Sequence, residues 1–151
     1  MKVLFVCTGN TCRSCMCESI FNNICDISSV KAVSAGISIV PGSTVSLNAA
    51  AVIKKHFGDD ISRRKALAVT EDLVMESSLI LGMTDFIRDI LKKRFPEKSG
   101  SIFTLYEYAG MEGDIKDPFG GSIDVYDETY KVLKKSVSLV IHRIKEDKSS
   151  F

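Results

Sequence analysis

The chain has 151 residues, of which 45% are hydrophobic and 26% are charged, and its formal net charge is +1. This length suits one domain over residues 1–151 that buries a core without disulfides. The composition excludes a disordered or collagen-like chain, and no apolar run approaches the roughly 18 residues that a membrane span needs. Because the charge is also near neutral, we expect neither a nucleic acid nor a membrane among the partners.

Apolar runs alternate with segments of helical periodicity along the chain. The first run predicts a buried strand over residues 2–6, followed by a loop over residues 7–13 and a helix that starts near Ser14. Three further strands are predicted at residues 31–36, 78–83 and 102–105. Further helices are predicted at residues 43–57, in a short segment after Thr70, from Thr84 to about residue 95, and from about residue 123 to 145.

Capping residues and apolar faces define these helices further. Ser43 or Thr44 is expected to cap the helix of residues 43–57, and Gly58 is expected to end it. The polar tail, residues 145–151, is expected to fray. The predicted apolar faces are Phe86, Ile87, Ile90 and Leu91 after Thr84, and Tyr126, Tyr130, Leu133, Val137, Val140, Ile141 and Ile144 in the last helix.

This alternation predicts an α/β fold, a single three-layer domain with a central four-stranded parallel sheet and helices on both faces. Ligands of such sheets bind at the carboxyl ends of the strands. The loop between strand 1 and helix 1 lies at that edge and is the candidate phosphate-binding loop.

The cysteines are unusual, because all five lie in the first 25 residues: Cys7, Cys12, Cys15, Cys17 and Cys25. An odd number in a local cluster does not suit a disulfide scaffold, so we expect a reducing compartment, the cytoplasm. The spacing of the first three is that of plant-type iron–sulfur proteins, but neither remaining cysteine fits as the fourth ligand. The histidines, His56 and His142, are far away in sequence, and we expect no metal ion.

The loop after the first strand has the features of an anion pocket. Its candidate phosphate-binding residues are Thr8, Gly9, Asn10, Thr11, Cys12 and Ser14. Glycine and asparagine tolerate positive φ, so the loop can curl until several backbone N–H groups converge at a helix N-terminus. Arg13 adds a planar guanidinium that matches phosphate oxygens.

Cys7 is the candidate nucleophile of this pocket. The converging N–H groups, the helix dipole and Arg13 favour its thiolate, and Ser14 can donate its hydroxyl to the same sulfur. A thiolate beside a bound phosphate can displace the leaving group in line and form a cysteinyl-phosphate. Asp117 is the candidate general acid, since a glycine-rich turn before Pro118 can hold its carboxyl over the pocket.

The chain resembles the low-molecular-weight protein tyrosine phosphatases over nearly its whole length. The resemblance rests on Cys7-x5-Arg13-Ser14 near the N-terminus, on Asp117-Pro118 before the last helix, and on the segments 34–36 and 82–84. Residues 6–14 and 117–124 look like the two signatures of the bacterial protein-arginine phosphatase branch. The family implies Cys7 as nucleophile, Arg13 as phosphate clamp, Asp117 as general acid and then base, and Asn10 as a brace of the loop.

The resemblance also implies the reactants, and the chain departs from the family pattern near the start of the first helix. The expected partners are phosphorylated protein substrates, inorganic phosphate is the product, and no cofactor is expected. Where the family usually has proline and alanine, this chain has Cys15 and Cys17. We expect reduced rigidity at the helix start or added redox sensitivity, with activity retained.

Thr11 and Phe119 are the candidate residues for substrate selectivity. The tyrosine-directed members tend to have isoleucine or leucine at the position of Thr11, whereas a hydroxyl can bond a polar guanidinium. Phe119 can stack on either an aromatic ring or a guanidinium plane. Phosphoarginine is therefore the predicted substrate, with phosphotyrosine as the alternative.

Other functions and roles remain open on sequence grounds. An arsenate reductase shares this loop but needs cysteines further along, and none follows Cys25. A non-catalytic anion- or metal-binding protein is the alternative outside the enzymes. Cys12 is either a small buried side chain or a redox partner of Cys7. Cys15, Cys17 and Cys25 are expected to be packing residues.

Overall fold

The computed structural model describes residues 1–149. Within these residues, four strands alternate with six α-helices, and a 3-10 helix (Pro96–Ser101) precedes the last strand. The strands are β1 (Lys2–Cys7), β2 (Lys31–Gly36), β3 (Leu79–Gly82) and β4 (Ile102–Thr104). The helices are α1 (Arg13–Ile24), α2 (Leu47–Phe57), α3 (Glu71–Glu76), α4 (Asp85–Arg94), α5 (Leu105–Ala109) and α6 (Ile123–Ser149).

The strands form one parallel sheet in the order β2-β1-β3-β4. In β1, Phe5 lies opposite Ser34 of β2 and Leu81 of β3. The connection from β1 leads to β2 at one edge of the sheet, and the connection from β3 leads to β4 at the other edge. Because both connections are right-handed, they place α1 and α4 on opposite faces of the sheet. Helix α1 also packs against α6, whereas α4 contacts β3 and β4. The predicted three-layer α/β fold is confirmed.

The core follows the predicted apolar pattern closely. Residues 3–6 of β1 are fully buried, as expected for a strand in the middle of a parallel sheet. Every residue of the predicted apolar face of α6, from Tyr126 to Ile144, is also buried. Because β1 is central and rigid, its last residue, Cys7, has a fixed position at the carboxyl edge of the sheet.

The start of α2 differs from the prediction. The helix begins at Leu47, and Ser46, rather than Ser43 or Thr44, accepts the capping bond from the Ala49 N–H. Residues 43–45 are extended because they pair with residues 64–66, with Ala66 N donating to Ser43 O at 2.8 Å. The predicted end is confirmed, since Gly58 adopts φ 76°.

The last predicted strand is one residue too long, because Leu105 starts the short helix α5. Thr104 caps this helix, and its capping box with Glu107 satisfies the first backbone N–H groups. Gly110 ends α5 at φ 76°. The Thr-x-x-Glu spacing is visible in the sequence and would have predicted this helix.

Two further expectations are wrong. Phe86 is 73% exposed, because Ile87 and Leu91, four residues apart, supply the buried face of α4. Residues 145–149 continue α6 instead of fraying, since Lys145 pairs with Asp26 at 2.7 Å and Tyr108 donates to Asp147 at 3.0 Å. Residues 150 and 151, the rest of the predicted tail, lie outside the described residues.

None of the helices within residues 1–149 has the length and apolar character that crossing a membrane requires.

Candidate active site

Cys7 lies where β1 ends and the candidate phosphate-binding loop begins, and only 3% of the residue is exposed. Its Sγ lies 2.8 Å from Ser14 Oγ and accepts the backbone N–H of Asn10 at 3.1 Å. Ser14 reaches the sulfur from the first turn of α1. The structure therefore brings together the candidate nucleophile and the hydroxyl that the sequence predicts for it.

The loop is held in a tight curl by contacts on its outer side. Asn10 is fully buried at φ 55°, the left-handed conformation predicted for it. Ile37 N and Ser38 N donate to the carbonyl oxygens of Cys7 and Thr8, both at 3.0 Å. Gly36 makes this approach feasible, because a Cβ there would lie 2.7 Å from Thr8 O. No side chain within the described residues caps α1, so the helix N-terminus keeps backbone N–H groups for an anion.

The hydrogen-bond directions around Asn10 fix the direction of the Ser14 hydroxyl. Asn10 Oδ1 accepts from Arg64 Nη1 at 3.0 Å and from Leu67 N at 2.9 Å. The opposite side of the amide, Nδ2, donates to Ser14 Oγ at 2.8 Å. Because Ser14 accepts there, its own hydrogen is free to donate to Cys7 Sγ. Two donors thus converge on the sulfur.

Arg13, the predicted phosphate clamp, is 94% buried beside the loop, with 6% of its surface exposed. Its Nη1 donates to Ile115 O at 3.0 Å, and its Nη2 lies 3.7 Å from Asp117 Oδ2. Its Nε is buried and has no hydrogen-bond partner among the described residues. Buried donors are normally paired, so this N–H is the group that an anion in the pocket would satisfy.

Asp117 lies across the mouth of the pocket from Arg13, with a side chain that is 54% exposed. The Phe119 N–H donates to its Oδ1 at 3.0 Å, and Gly121 N donates to Pro118 O at 2.8 Å. Asn48 of α2 ties this turn to the body of the protein by donating to Gly121 O at 3.1 Å. The carboxyl is therefore held near the pocket while remaining accessible to a leaving group.

Thr11 and Phe119, the two predicted selectivity residues, line one surface groove of about 330 Å³. Its other walls include Val40 and the hydroxyl side chains of Ser43 and Thr44. Phe119 is 77% exposed, so one face of the groove is an accessible aromatic ring. The groove can accept a planar group next to hydrogen-bonding hydroxyls.

The other cysteines of the cluster are mostly buried. Cys12 is the residue before α1, and its Sγ lies 3.9 Å from Asp117 Oδ1. Burial raises the pKa of Cys12, and the charge of the neighbouring Cys7 raises it further. Burial also raises the pKa of Cys15 to about 12. Cys15 and Cys17 belong to the core, and Cys25 is half-buried against it.

Arg64 is the site residue that the sequence analysis missed. It pairs with Glu18, at 3.2 Å, and donates from Nη2 to Ser34 Oγ at 2.8 Å. The sequence predicts no site role for Glu18, and Ser34 lies in a segment that the family resemblance covers. Arg64 lies in a segment without periodicity, and its partners are far away along the chain, so no local signal identifies it. Among residues 1–149, no three acidic, histidine or cysteine side chains form a group that could hold a metal ion.

Comparisons with known proteins agree with this geometry. The family model described as "Low molecular weight phosphotyrosine protein phosphatase" matches residues 2–150. The chain is 36% identical over 152 residues to the protein-arginine-phosphatase of Bacillus subtilis (strain 168), which covers 98% of this chain and 99% of that one. It is 38% identical over 130 residues to the low molecular weight protein-tyrosine-phosphatase PtpB of Staphylococcus epidermidis, covering 86% of this chain and 89% of that one.

A solved structure of a phosphatase has the same overall fold. It is the YwlE arginine phosphatase as a C7S mutant with a phosphorylated active site serine, and it superposes with a TM-score of 0.89. The two proteins are 34% identical, and the match covers 99% of each chain. The family model and the full-length relatives confirm the resemblance that the sequence indicates. The chain belongs to the low-molecular-weight phosphotyrosine protein phosphatase family.

Proposed function

We propose that this protein hydrolyses phosphorylated side chains of proteins through a phosphocysteine at Cys7. The observation that carries the proposal is the convergence of Ser14 Oγ, at 2.8 Å, and Asn10 N, at 3.1 Å, on Cys7 Sγ. Two donors aimed at one buried sulfur favour a nucleophilic thiolate. Hydrolysis of a generic aryl phosphate tests the proposal, and we expect Cys7→Ser to abolish it. Activity of Cys7→Ser equal to that of the wild type would contradict it.

The first chemical step transfers the phosphoryl group to Cys7. A lone pair of Cys7 Sγ attacks phosphorus, and the bond from phosphorus to the leaving oxygen or nitrogen breaks in line with it. The leaving group takes a proton from Asp117, whose carboxyl lies at the mouth of the pocket. Arg13 and the loop N–H groups bind the three equatorial phosphoryl oxygens, where negative charge is concentrated.

The second step releases inorganic phosphate. A water molecule attacks the phosphorus of the phosphocysteine and gives a proton to Asp117, which now acts as a base. The phosphorus–sulfur bond breaks, and Cys7 returns to the thiolate. The unpaired Arg13 Nε supports a role for Arg13 in both steps, because it offers a buried donor to the phosphoryl group without breaking an existing bond.

We further propose that phosphoarginine is the preferred substrate. The groove beside the pocket combines the Phe119 ring with the hydroxyls of Thr11, Ser43 and Thr44, which suits a flat and polar guanidinium. Two relatives that match more than nine-tenths of this chain are protein-arginine-phosphatases. The exposed Phe119 ring and the PtpB relatives favour phosphotyrosine as the second candidate.

Paired peptides test the substrate preference. We expect a higher kcat/KM for a phosphoarginine peptide than for a phosphotyrosine peptide of otherwise identical sequence. Thr11→Ile is expected to narrow this ratio, since it replaces a hydroxyl by an apolar side chain. Leu67→Ala is the matched control, because Leu67 is exposed outside the groove. Faster turnover of the phosphotyrosine peptide by the wild-type protein would refute the preference.

Cys12 is proposed as a redox partner of Cys7. Peroxide would oxidise the Cys7 thiolate to a sulfenic acid and be reduced itself. The Cys12 sulfur would then attack that sulfur, form a disulfide and release water. Cys12 Sγ lies 3.9 Å from Asp117 Oδ1, at the mouth of the pocket that holds Cys7. Mass spectrometry after mild peroxide treatment should find a Cys7–Cys12 link, and without this link Cys12 is only a small buried side chain.

The clustered, odd-numbered cysteines also support the proposal of a reducing compartment, the cytoplasm. The same count disfavours an arsenate reductase, which needs cysteines after Cys25. A non-catalytic anion-binding role is disfavoured because family members are named protein phosphatases.

A further inference from the structure

Phe119 belongs to two neighbouring grooves on the surface. The first groove, of about 330 Å³, includes Gly9 and Thr11 of the phosphate-binding loop. The second groove has a volume of about 350 Å³ and is lined by residues 46–48, residues 119–121 and Tyr126. Ser46 also lines both grooves. The second groove is therefore continuous with the first, and neither the phosphoryl group nor the side chain that carries it accounts for it.

The second groove has an apolar and uncharged character. Leu47 is 85% exposed and Phe119 is 77% exposed. Single exposed apolar side chains are common on protein surfaces, but two large ones that line the same groove mark an interaction site. None of the described residues that line this groove carries a charge. Its chemistry therefore suits an apolar side chain rather than an ion.

Leu47 is not used by the packing of its own helix. It is the first residue of α2, and the helix turns a different set of side chains toward the core: Ala49, Ala50, Val52 and Ile53. The exposed leucine thus contributes little apolar burial to the folded chain. Its apolar surface remains available to a ligand.

The walls of the second groove are held in place before any ligand binds. Ser46 N donates to Thr11 O at 2.9 Å, which ties the start of α2 to the phosphate-binding loop. Asn48 Nδ2 donates to Gly121 O at 3.1 Å, which ties α2 to the turn that follows Asp117. A ligand therefore meets a preformed surface, and little binding free energy is lost in ordering it.

We propose that the second groove binds an apolar side chain of the substrate, two residues away from the phosphorylated residue. The inference rests on the proposed function, which brings a phosphorylated protein segment to the pocket and its modified side chain to Thr11. In an extended segment, side chains two residues apart face the same way and lie about 6.6 Å apart, so the second one can enter the neighbouring groove. The preferred substrates are therefore extended segments with leucine or a similar aliphatic residue at that distance.

Peptides with leucine or serine two positions before or after the phosphorylated residue test this assignment. Each peptide is made with phosphoarginine and with phosphotyrosine, so the result does not depend on which of the two is preferred. We expect leucine at one of these positions to raise kcat/KM of the wild-type protein about fivefold over serine, mainly through a lower KM. This factor corresponds to partial burial of one leucine side chain.

Leu47→Ser tests whether the second groove is the origin of the preference. We expect this variant to lower the leucine-to-serine ratio of kcat/KM to about two or less. Leu67→Ser is the matched control, because Leu67 is an exposed leucine outside both grooves, and it should keep the wild-type ratio. The ratio is independent of the fraction of folded protein, since both peptides are measured with the same sample.

Peptides that carry a non-hydrolysable phosphonate in place of the phosphotyrosine phosphate report on the groove without turnover. Their dissociation constants for the wild-type protein should be about fivefold lower with leucine than with serine at the preferred position. Equal dissociation constants for the two peptides, or equal kcat/KM ratios in Leu47→Ser and Leu67→Ser, would overturn the inference. A wild-type dimer that Leu47→Ser dissociates would assign the groove to a second copy of this chain and overturn it as well. The proposed function fails separately, if the wild-type protein has no phosphatase activity that depends on Cys7.

Discussion

Gly36→Ala tests whether the position of the loop is set from outside by the end of β2. A Cβ at residue 36 would lie 2.7 Å from Thr8 O, 3.0 Å from Asn10 N and 2.8 Å from Ile39 Cγ2. The Ile39 side chain can rotate away, but the other two atoms are backbone atoms of the phosphate-binding loop. To restore an ordinary contact of 3.4 Å, Thr8 O must move by 3.4 − 2.7 = 0.7 Å.

This movement is large on the scale of catalysis. A misplacement of about 1 Å at an active site can lower the rate by about 100-fold, so we expect Gly36→Ala to lower kcat/KM by about 10- to 100-fold. Overpacking of this kind also costs about 1–3 kcal/mol of unfolding free energy.

Gly100→Ala is the matched control for Gly36→Ala. A Cβ at residue 100 would meet no atom within 4 Å, and this glycine has no positive φ. The assay is hydrolysis of an aryl phosphate, together with thermal melts of both variants. If Gly36→Ala is folded and keeps the kcat/KM of Gly100→Ala, the loop is not held by this close approach and the reasoning is refuted.

Two further changes probe the turn of the general acid and the C-terminal helix. Asn48→Ala removes the hydrogen bond to Gly121 O that holds the turn of Asp117. Because poor leaving groups depend most on a general acid, kcat should fall more for substrates with poor leaving groups than for those with good ones. An equal loss of kcat for both kinds of substrate would contradict a role of Asn48 in holding Asp117. Burial and the bond to Asp147 raise the pKa of Tyr108 to about 12, from an ordinary value near 10. Because the folded state keeps this proton longer, the free energy of unfolding should fall as the pH rises between those two values. Denaturant melts of Tyr108→Phe should have a smaller alkaline loss, and an identical loss would contradict the assignment.

The fold was predictable where the pattern is local. Residues 3–6 form a continuous apolar run, and the apolar side chains of α6 recur at helical spacing, so both elements follow from short-range sequence. The start of α2 was not predictable in this way, because residues 43–45 are held extended by residues 64–66 from a distant part of the chain. Phe86 was misassigned because helical periodicity alone does not decide which of two adjacent apolar residues is buried, and in α4 the buried residues are Ile87 and Leu91.

The candidate site was predictable to a similar extent. Cys7, Asn10, Arg13 and Ser14 are close in sequence, so their convergence follows from a strand, a curled loop and a helix. Asp117 was identified as the candidate general acid from its glycine-rich turn and from the family resemblance. The hydrogen-bond partners of Arg64 are far from it along the chain: Asn10, Cys15, Glu18 and Ser34. These hydrogen bonds therefore form only when the sheet brings the segments together. Hydrogen-bond direction also carries information that residue identity lacks, since only the structure identifies which atom of Asn10 meets Arg64.

The most direct test of the central claim is a rapid acid quench of the Asp117→Asn variant during turnover of an aryl phosphate, followed by peptide mass spectrometry. Loss of the carboxylate base should slow hydrolysis of the intermediate, so the account predicts one phosphoryl group on the peptide that contains Cys7, bound to the sulfur. The result that would contradict it is continued turnover with an unmodified Cys7, or a phosphoryl group on any other residue.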